Sequence, residues 1–560
     1  LSYKYENYEN HIVREEIMDI SKRRLFQAAA SLGLAAGLPK GACAAGLAEG
    51  TPGPFAAEWN SLIAGYKAPE WFRDAKFGIW AHWGPQCAAE AGDWYARNMY
   101  LQDQPQYQHH LTHYGHPADS GFIDVIGSWT AEKFDPEALL DLYAKAGAKY
   151  FVALANHHDN FDTYASKFHD WNATRVGPKR DLIGMWAKAA RARGLKFGVS
   201  NHSAHAWHWF QVAYGYDPEG PRRGQRYDAF KLTKADGKGK WWEGLDPQDL
   251  YGGRVMPLPD GFTDLKAAKE WHDKHDLVWD ENAPAANPAF TRRWFLRCKD
   301  LIDSYQPDLL YFDNTGLPLG QAGLDIAAHY YNAATQWHGK PDVVINAKYL
   351  PEERRSALVE DTERGLHGEI AAHPWQTDTC IGDWHYNRAL FEKNGYKSAD
   401  LVVHFLCDIV SKNGNLLLSV PVRRDGSIDE KETAIVEGVA GWMGRFSEAI
   451  YGTRPWKVAG EGPTQVGGGA FGESKLNSFS AADIRFTTKG GALYAITLGR
   501  PAETVTIASL KDAAVERVEM AGSTAPLSFR KTGAGLVVSI PAAASHDFGV
   551  ALKIRGRGIA

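Results

Sequence analysis

From Thr51 to about Ile450, short apolar runs bounded by turn residues alternate with longer stretches of helical periodicity. The apolar runs are Lys76 to Ala81, Lys149 to Leu154, Lys196 to Ser200, Pro307 to Asn314, Val343 to Asn346 and Asn415 to Val420. Runs of this kind read as strands buried on both faces, as in a parallel sheet. Between them, apolar residues at helical spacing predict helices over Pro136–Ala146, Asp181–Arg193, Pro288–Tyr305, Leu324–Trp337, Ser398–Lys412 and Glu430–Ile450. Strand and helix alternating over about 350 residues predict an α/β fold, a (β/α)8-type (TIM-like) barrel with insertions. A doubly wound sheet is the alternative, but no GxGxxG turn follows the first strand and no Walker loop is present. No cofactor is expected on that ground.

Past the helix that ends near 450 the period changes from helical to alternating. Ala492 to Leu498, Thr504 to Ile507 and Leu536 to Ile540 read as short strands separated by Gly and Pro turns. This pattern predicts a C-terminal antiparallel β-sandwich. The expected organisation is an N-terminal extension and signal over 1–50, a catalytic barrel over 51–452 and the sandwich over 453–560. A long irregular stretch, about 212 to 285, is rich in Gly, Lys, Asp and Trp. A loop of that length after a strand end is expected to cover the active face, with Trp241 and Trp242 either lining a subsite or anchoring the loop.

The N-terminal segment adds a location. Ser21-Lys22-Arg23-Arg24-Leu25-Phe26 is a twin-arginine arrangement, followed by a small, apolar run to Leu38 and by Ala42-Cys43-Ala44, an A-x-A cleavage site. Export to the periplasm or beyond is the expectation, through a segment too short and too weakly apolar to span a membrane. The remaining cysteines, Cys87, Cys298, Cys380 and Cys407, form no CxxC pair or zinc-ribbon spacing and are expected to be free thiols. A net charge of −5 without a basic stripe argues against nucleic acid as a partner. The 20 Trp, 24 Tyr and 24 Phe point weakly towards carbohydrate, whose apolar ring faces stack on aromatic ones.

The chemistry gathers at the carboxyl ends of the strands, where barrels place it. Asp313 ends the run Pro307-Asp308-Leu309-Leu310-Tyr311-Phe312 and is the first catalytic candidate. Alone, an Asp in that place is as readily a helix cap or Asx turn. The other strand ends change the balance: His82 and then Asp93-Trp94, His157-His158-Asp159, Asn201-His202, and Asn346-Ala347-Lys348. Neutral His, Asn and Trp would hold a polyhydroxylated ligand by directional hydrogen bonds and stacking. A glycosidase needs two carboxyl groups beside them. The same imidazoles with Asp159 could ligate zinc or iron, although no HxH, HExxH or facial-triad spacing is present and no metal is assigned.

Trp71-Phe72, Ala75 to Gly84, Lys149 to Asp159, Gly177 to Leu182, Pro307 to Asp313, Trp375-Gln376-Thr377 and Lys412 to Leu418 together, in this order, resemble glycoside hydrolase family 29, the retaining α-L-fucosidases. The resemblance implies a catalytic barrel followed by a β-sandwich and hydrolysis of terminal α-L-fucosyl residues. It implies Asp313 as nucleophile, with His82, Asp93-Trp94, His157 and His158 on the fucose hydroxyls. Three positions depart from the family pattern: Asp93 where Glu is expected, Lys348 where Arg is expected, and Ser200-Asn201-His202 at a Tyr-rich strand end. His202 and Lys348 are accordingly expected at the substrate. Val359 to Gly365 resembles the family's Thr-Pro-Glu region without its Pro, which makes Glu363 the expected acid/base, with Glu360, Asp361 and Glu369 as alternatives. A sugar-binding protein on a barrel that has lost one carboxylate, or a metal-dependent hydrolase, are the competing readings.

Overall fold

The structure, a computed structural model, describes residues 50–559 apart from 280 and 477. The twin-arginine segment and Cys43 lie outside the described residues. Among these residues eight parallel strands close into a barrel in sequence order. They are β1 (Phe77–Ala81), β2 (Tyr150–Asn156), β3 (Lys196–Asn201), β4 (Leu309–Thr315), β5 (Val344–Lys348), β6 (Val359–Asp361), β7 (Trp375–Cys380) and β8 (Gly414–Ser419). Six of these are the apolar runs of the sequence. β6 and β7 are not: β6 has three residues, two of them acidic, and β7 carries Gln376, Thr377, Asp378 and Thr379.

Side-chain alternation sorts the barrel into an inside and an outside. Trp80, Tyr150, Val152, Leu309, Tyr311, Val344, Val359 and Leu417 form the inner cluster. Their neighbours Ile79, Phe151, Leu310, Phe312, Ile345, Leu416 and Leu418 face the helices. Continuing the inner parity by two residues brings Asp313 from Tyr311, Lys348 from Asn346 and Asp361 from Val359 into the upper barrel. The polar inner layer explains why β6 and β7 escape an apolar-run reading. Tyr311 donates to Asp378 at 2.8 Å and Gln376 donates to Asp361 at 2.8 Å, so these strands are buried through paired polar groups rather than apolar ones.

The helices outside the barrel include Pro136–Lys145, Leu182–Ala192, Pro288–Tyr305, Gln321–His338, Ala399–Ser411 and Glu430–Phe446. Five of the six start under a side-chain cap or a Pro in the first turn, or with Gly just before the helix; Asp181 and Asn287 accept from Gly184 and Phe290, for example. The long stretch after β3 is less irregular than its composition predicts, since it contains the helix Leu265–His275. That helix ends at Asp276, which is buried and paired with Arg97 at 2.6 Å and with His272 at 2.6 Å. A buried charge pair of this kind fixes the excursion onto the barrel mouth.

The C-terminal part is two antiparallel sheets. One has the order β13 (Ala514–Met520), β16 (Ala551–Arg557), β11 (Ala492–Thr497), β10 (Ile484–Lys489) and β9 (Arg454–Glu461). The other is β12 (Thr504–Ile507), β15 (Gly535–Ser539) and β14 (Phe529–Thr532). Arg485 of β10 joins the five-stranded sheet to the barrel: it donates to Asp408 at 2.6 Å, and Lys412 holds the other oxygen of that buried carboxylate at 2.8 Å. The four described cysteines are free and buried. No helix among the described residues is long and apolar enough to cross a membrane.

Candidate active site

Asp313 sits where β4 opens into the barrel mouth, its side chain 18% exposed. One oxygen pairs with Lys348 Nζ at 2.5 Å; the other faces His202 Nδ1 at 3.1 Å and His158 Nε2 at 3.3 Å. Burial on its own would raise this carboxyl. The Lys348 ammonium and the two imidazoles outweigh it and hold Asp313 well below the usual carboxylate range. Lys348 is held charged in the same way: burial would lower it, but Asp313, Glu363 and Asp378 push it well above its ordinary value.

The same Nζ also contacts Glu363 Oε2. Two oxygens on one ammonium lie within about 5 Å of each other, close to the roughly 5–5.5 Å of a retaining carboxyl pair. The alternatives to Glu363 are placed elsewhere. Glu360 has the outward parity of β6, pairs with Arg355 at 3.0 Å and lines a separate cavity together with Glu369, His367 and His373. Asp361 points inward but lies under the site, fully buried, against Asp378. Burial and then the Asp378 charge raise Asp361 well above the ordinary carboxyl range, against the opposing pull of Lys348. Asp378 is raised as well, by burial first. The two form a buried carboxyl pair that holds its proton more tightly than isolated carboxyls would.

A cluster of imidazoles forms the floor. His82, His157, His158, His202 and His385 are all buried, with ring centroids 4.7 Å apart for His82 and His385 and 4.9 Å for His157 and His202. Burial drives His82, His157, His158 and His202 towards neutrality. It takes His202 down to about 4 against the pull of Asp313, and takes His82 and His157 well below the ordinary value with neighbouring imidazoles adding to the effect. Several of their nitrogens have no partner among the described residues: both of His82, Nε2 of His202 and Nε2 of His385. Buried polar atoms are rarely left unpaired, and this many in one pocket mark a place built for a ligand with several hydroxyls. Because His202 Nδ1 donates to Asp313, its Nε2 is left as an acceptor.

Trp94 supplies an edge of the pocket, 6.2 Å from the His158 ring. Its backbone is left-handed at φ 55°, an uncommon conformation for a bulky residue and one that concentrates at functional sites. Asp93 is at the site but is engaged: Oδ1 pairs with His385 Nδ1 at 2.5 Å. His385 is a site residue that sequence reasoning missed, and so are Trp384, 5.6 Å from the His82 ring, and Trp279, 5.3 Å from His158. Trp384 and His385 follow β7, and locating that strand would have pointed to them. Trp279 comes from the excursion after β3, whose Glu281 binds Asn314 at 2.6 Å and the Thr315 amide at 2.7 Å. The excursion therefore does reach the active face, but through Trp279 and Glu281. Trp241 and Trp242 instead line a different cavity with Ile123, Asp228 and Lys231, where Trp241 stands edge-on to Trp171.

Two sets of side chains could hold a metal ion, His82-Asp93-His157-His385 and His157-His158-His202. Both draw on the imidazoles that leave unpaired nitrogens in the pocket, and Asp93 and Asp313 already engage His385 and His202.

A parallel barrel with two carboxyls bridged at its carboxyl-end mouth, above a neutral, donor- and acceptor-rich pocket, defines a glycoside hydrolase. The chain belongs to the alpha-L-fucosidase family: the profile described as Alpha-L-fucosidase matches residues 43–448. Bovine tissue alpha-L-fucosidase is 26% identical over 518 residues, spanning 90% of this chain and 92% of that protein. The crystal structure of Thermotoga maritima alpha-fucosidase superposes with a TM-score of 0.64 at 25% identity, covering 89% of this chain and 99% of that one. The same Thermotoga enzyme in complex with fucose gives 0.63 at 26% identity, with 89% and 100% covered.

Proposed function

We propose that this protein is an exo-acting, retaining α-L-fucosidase that removes terminal α-L-fucosyl residues from oligosaccharides or glycoconjugates. The observation that carries the reading is the shared contact of Asp313 and Glu363 with Lys348, which keeps the two carboxyls close together and so supports a double displacement. Asp313, ionised by its surroundings, attacks the anomeric carbon. Glu363 protonates the departing glycosidic oxygen, and the C–O bond breaks to leave a fucosyl ester on Asp313. A water deprotonated by the Glu363 carboxylate then attacks the same carbon, displacing Asp313 and releasing fucose with its original configuration. His82, His157, His158, His202 and His385 hold the hydroxyls, and Trp94 closes one side. The closed floor of buried imidazoles suits one terminal sugar, and the exposed Trp279 at the mouth faces the leaving group.

Proton NMR during hydrolysis of an aryl α-L-fucoside tests this: the α-anomer of free fucose is expected to appear first and then mutarotate. First appearance of the β-anomer would contradict the mechanism. Fucose binding without turnover would favour a sugar-binding barrel, and activity lost to a chelator and restored by a divalent cation would favour a metal hydrolase. The twin-arginine pattern supports export to the periplasm or outside the cell, which fractionation of a producing cell would test.

A pH effect follows from His202. It is neutral above about 4, and below that a second proton turns its Nε2 from acceptor to donor. Fucose affinity is expected to hold between pH 7 and 5 and to weaken as pH falls through 4, as measured by calorimetry. An affinity unchanged down to pH 3.5 would mean that Nε2 accepts nothing from the sugar.

A further inference from the structure

The loop that carries Glu363 is tied down from two sides. From the barrel, the Arg364 amide donates to the Asp378 carbonyl at 2.8 Å and the Thr362 amide to the Gln376 carbonyl at 2.9 Å. From the other side comes a segment of the C-terminal part, between β9 and β10. The Phe471 amide donates to the carbonyl of Glu363 itself at 2.8 Å, the Glu473 amide donates to the Arg364 carbonyl at 3.1 Å, and Gly469 pairs with Leu366 in an antiparallel bridge. Arg364 and Phe471 both have left-handed backbones, at φ 42° and 55°. Such conformations cost of order 1–3 kcal/mol each and persist where surrounding contacts over-determine them.

The side chain of Glu473 makes this junction specific. Its carboxylate, 9% exposed, accepts from Thr379 Oγ1 at 2.7 Å and pairs with Lys397 at 3.0 Å, with Arg364 at 3.9 Å. Thr379 belongs to β7 and Lys397 lies in the connection that follows it. The Arg364 guanidinium in turn lies 5.1 Å over the Trp384 ring, which packs against Trp80 and His82 in the sugar pocket. One buried carboxylate from the C-terminal part thus joins the loop bearing Glu363 to the loop bearing Trp384 and His385.

We propose that Glu473 is a positioning residue for the acid/base: the segment around 466–476 clamps the Glu363 loop, which makes the C-terminal part a working component of the active site. The inference rests on the reading of Glu363 as acid/base. Loss of the clamp leaves Asp313, on β4, in place and lets Glu363 drift from the glycosidic oxygen. The cost therefore falls on leaving groups that need a proton and spares those that depart unaided.

The test is kcat/KM for Glu473→Gln on phenyl α-L-fucoside and on the dinitrophenyl analogue, with Thr379→Val as a second, milder break of the same contact and Glu363→Gln as reference. An ångström of misplacement can cost about 100-fold and a general acid contributes about 10²–10⁴-fold, so the phenyl substrate is expected to lose about 10–100-fold. The dinitrophenyl substrate is expected to stay within about threefold, with Thr379→Val following in the same direction and Glu363→Gln showing the same selectivity more strongly. Equal losses on both substrates, or no loss on either, overturn the clamp when Glu363→Gln is itself leaving-group selective. A Glu363→Gln variant blind to the leaving group overturns the acid/base reading, and this inference with it.

Discussion

Replacing Asp313 with Gly is expected to lower kcat on aryl α-L-fucosides by about 10⁴-fold, roughly 5.5 kcal/mol in the barrier, and to leave the fold intact. The second half follows from where the side chain is. Asp313 lies beyond the apolar inner cluster, in the open mouth, and its loss removes no core contact. The first half follows from chemistry, because without the carboxylate no fucosyl ester forms. Azide supplied at high concentration should enter the space left beside Lys348 and attack from the face that Asp313 occupied. The product is then β-L-fucosyl azide, a single inversion identifiable by NMR. Ordinary activity in the variant, or azide rescue that yields only the α-azide, would remove Asp313 from the nucleophile's role.

The second large effect is expected at Lys348. This ammonium is the first of the groups that offset burial at Asp313, and it also contacts Glu363 and lies near the Asp361–Asp378 pair. Lys348→Met removes the ammonium that bridges the two carboxyls and leaves His158 and His202 to oppose the effect of burial, which raises Asp313. The sign is fixed: Asp313 reacts ionised, its carboxyl moves up in the variant, and activity is lost as pH falls through the new value. The acid limb of kcat/KM is therefore expected to shift upwards by about a unit or more, with a loss of about 10²–10³-fold near pH 5, the scale of removing one electrostatic anchor from a dry site. Lys348→Arg keeps the charge and adds a second donor plane, and is expected to recover much of the loss. An unmoved acid limb in Lys348→Met would show that His158 and His202 alone keep Asp313 ionised.

Much of this protein is legible in its residues because alternation and apolar runs follow directly from burial. β1 to β5 and β8 are strands with at least one apolar face against the helices, and their carboxyl ends brought His82, His157, His158, His202, Asp313 and Lys348 forward together. The change to short alternating strands past 450 marked the C-terminal sheets for the same reason. β6 and β7 were hidden because, Val359 apart, their inner faces are largely polar and are satisfied by partners from other strands, Tyr311 above all, which no local pattern reveals. With β7 unseen, Trp384 and His385 had no strand end to stand on.

What the sequence by itself determined is the set of residues that strand ends must deliver to one rim, since strand length and side-chain parity are local properties. What only the tertiary structure decided is which groups meet across it. Parity turned Glu360 out to Arg355, sank Asp361 onto Asp378 and left Glu363 on the ammonium shared with Asp313. It also showed the short carboxylate of Asp93 ending on His385, and Glu473, 110 residues along the chain from Glu363, meeting that loop from the C-terminal part. These are contacts between segments far apart in sequence, chosen by three-dimensional packing, and a one-dimensional pattern carries no record of them.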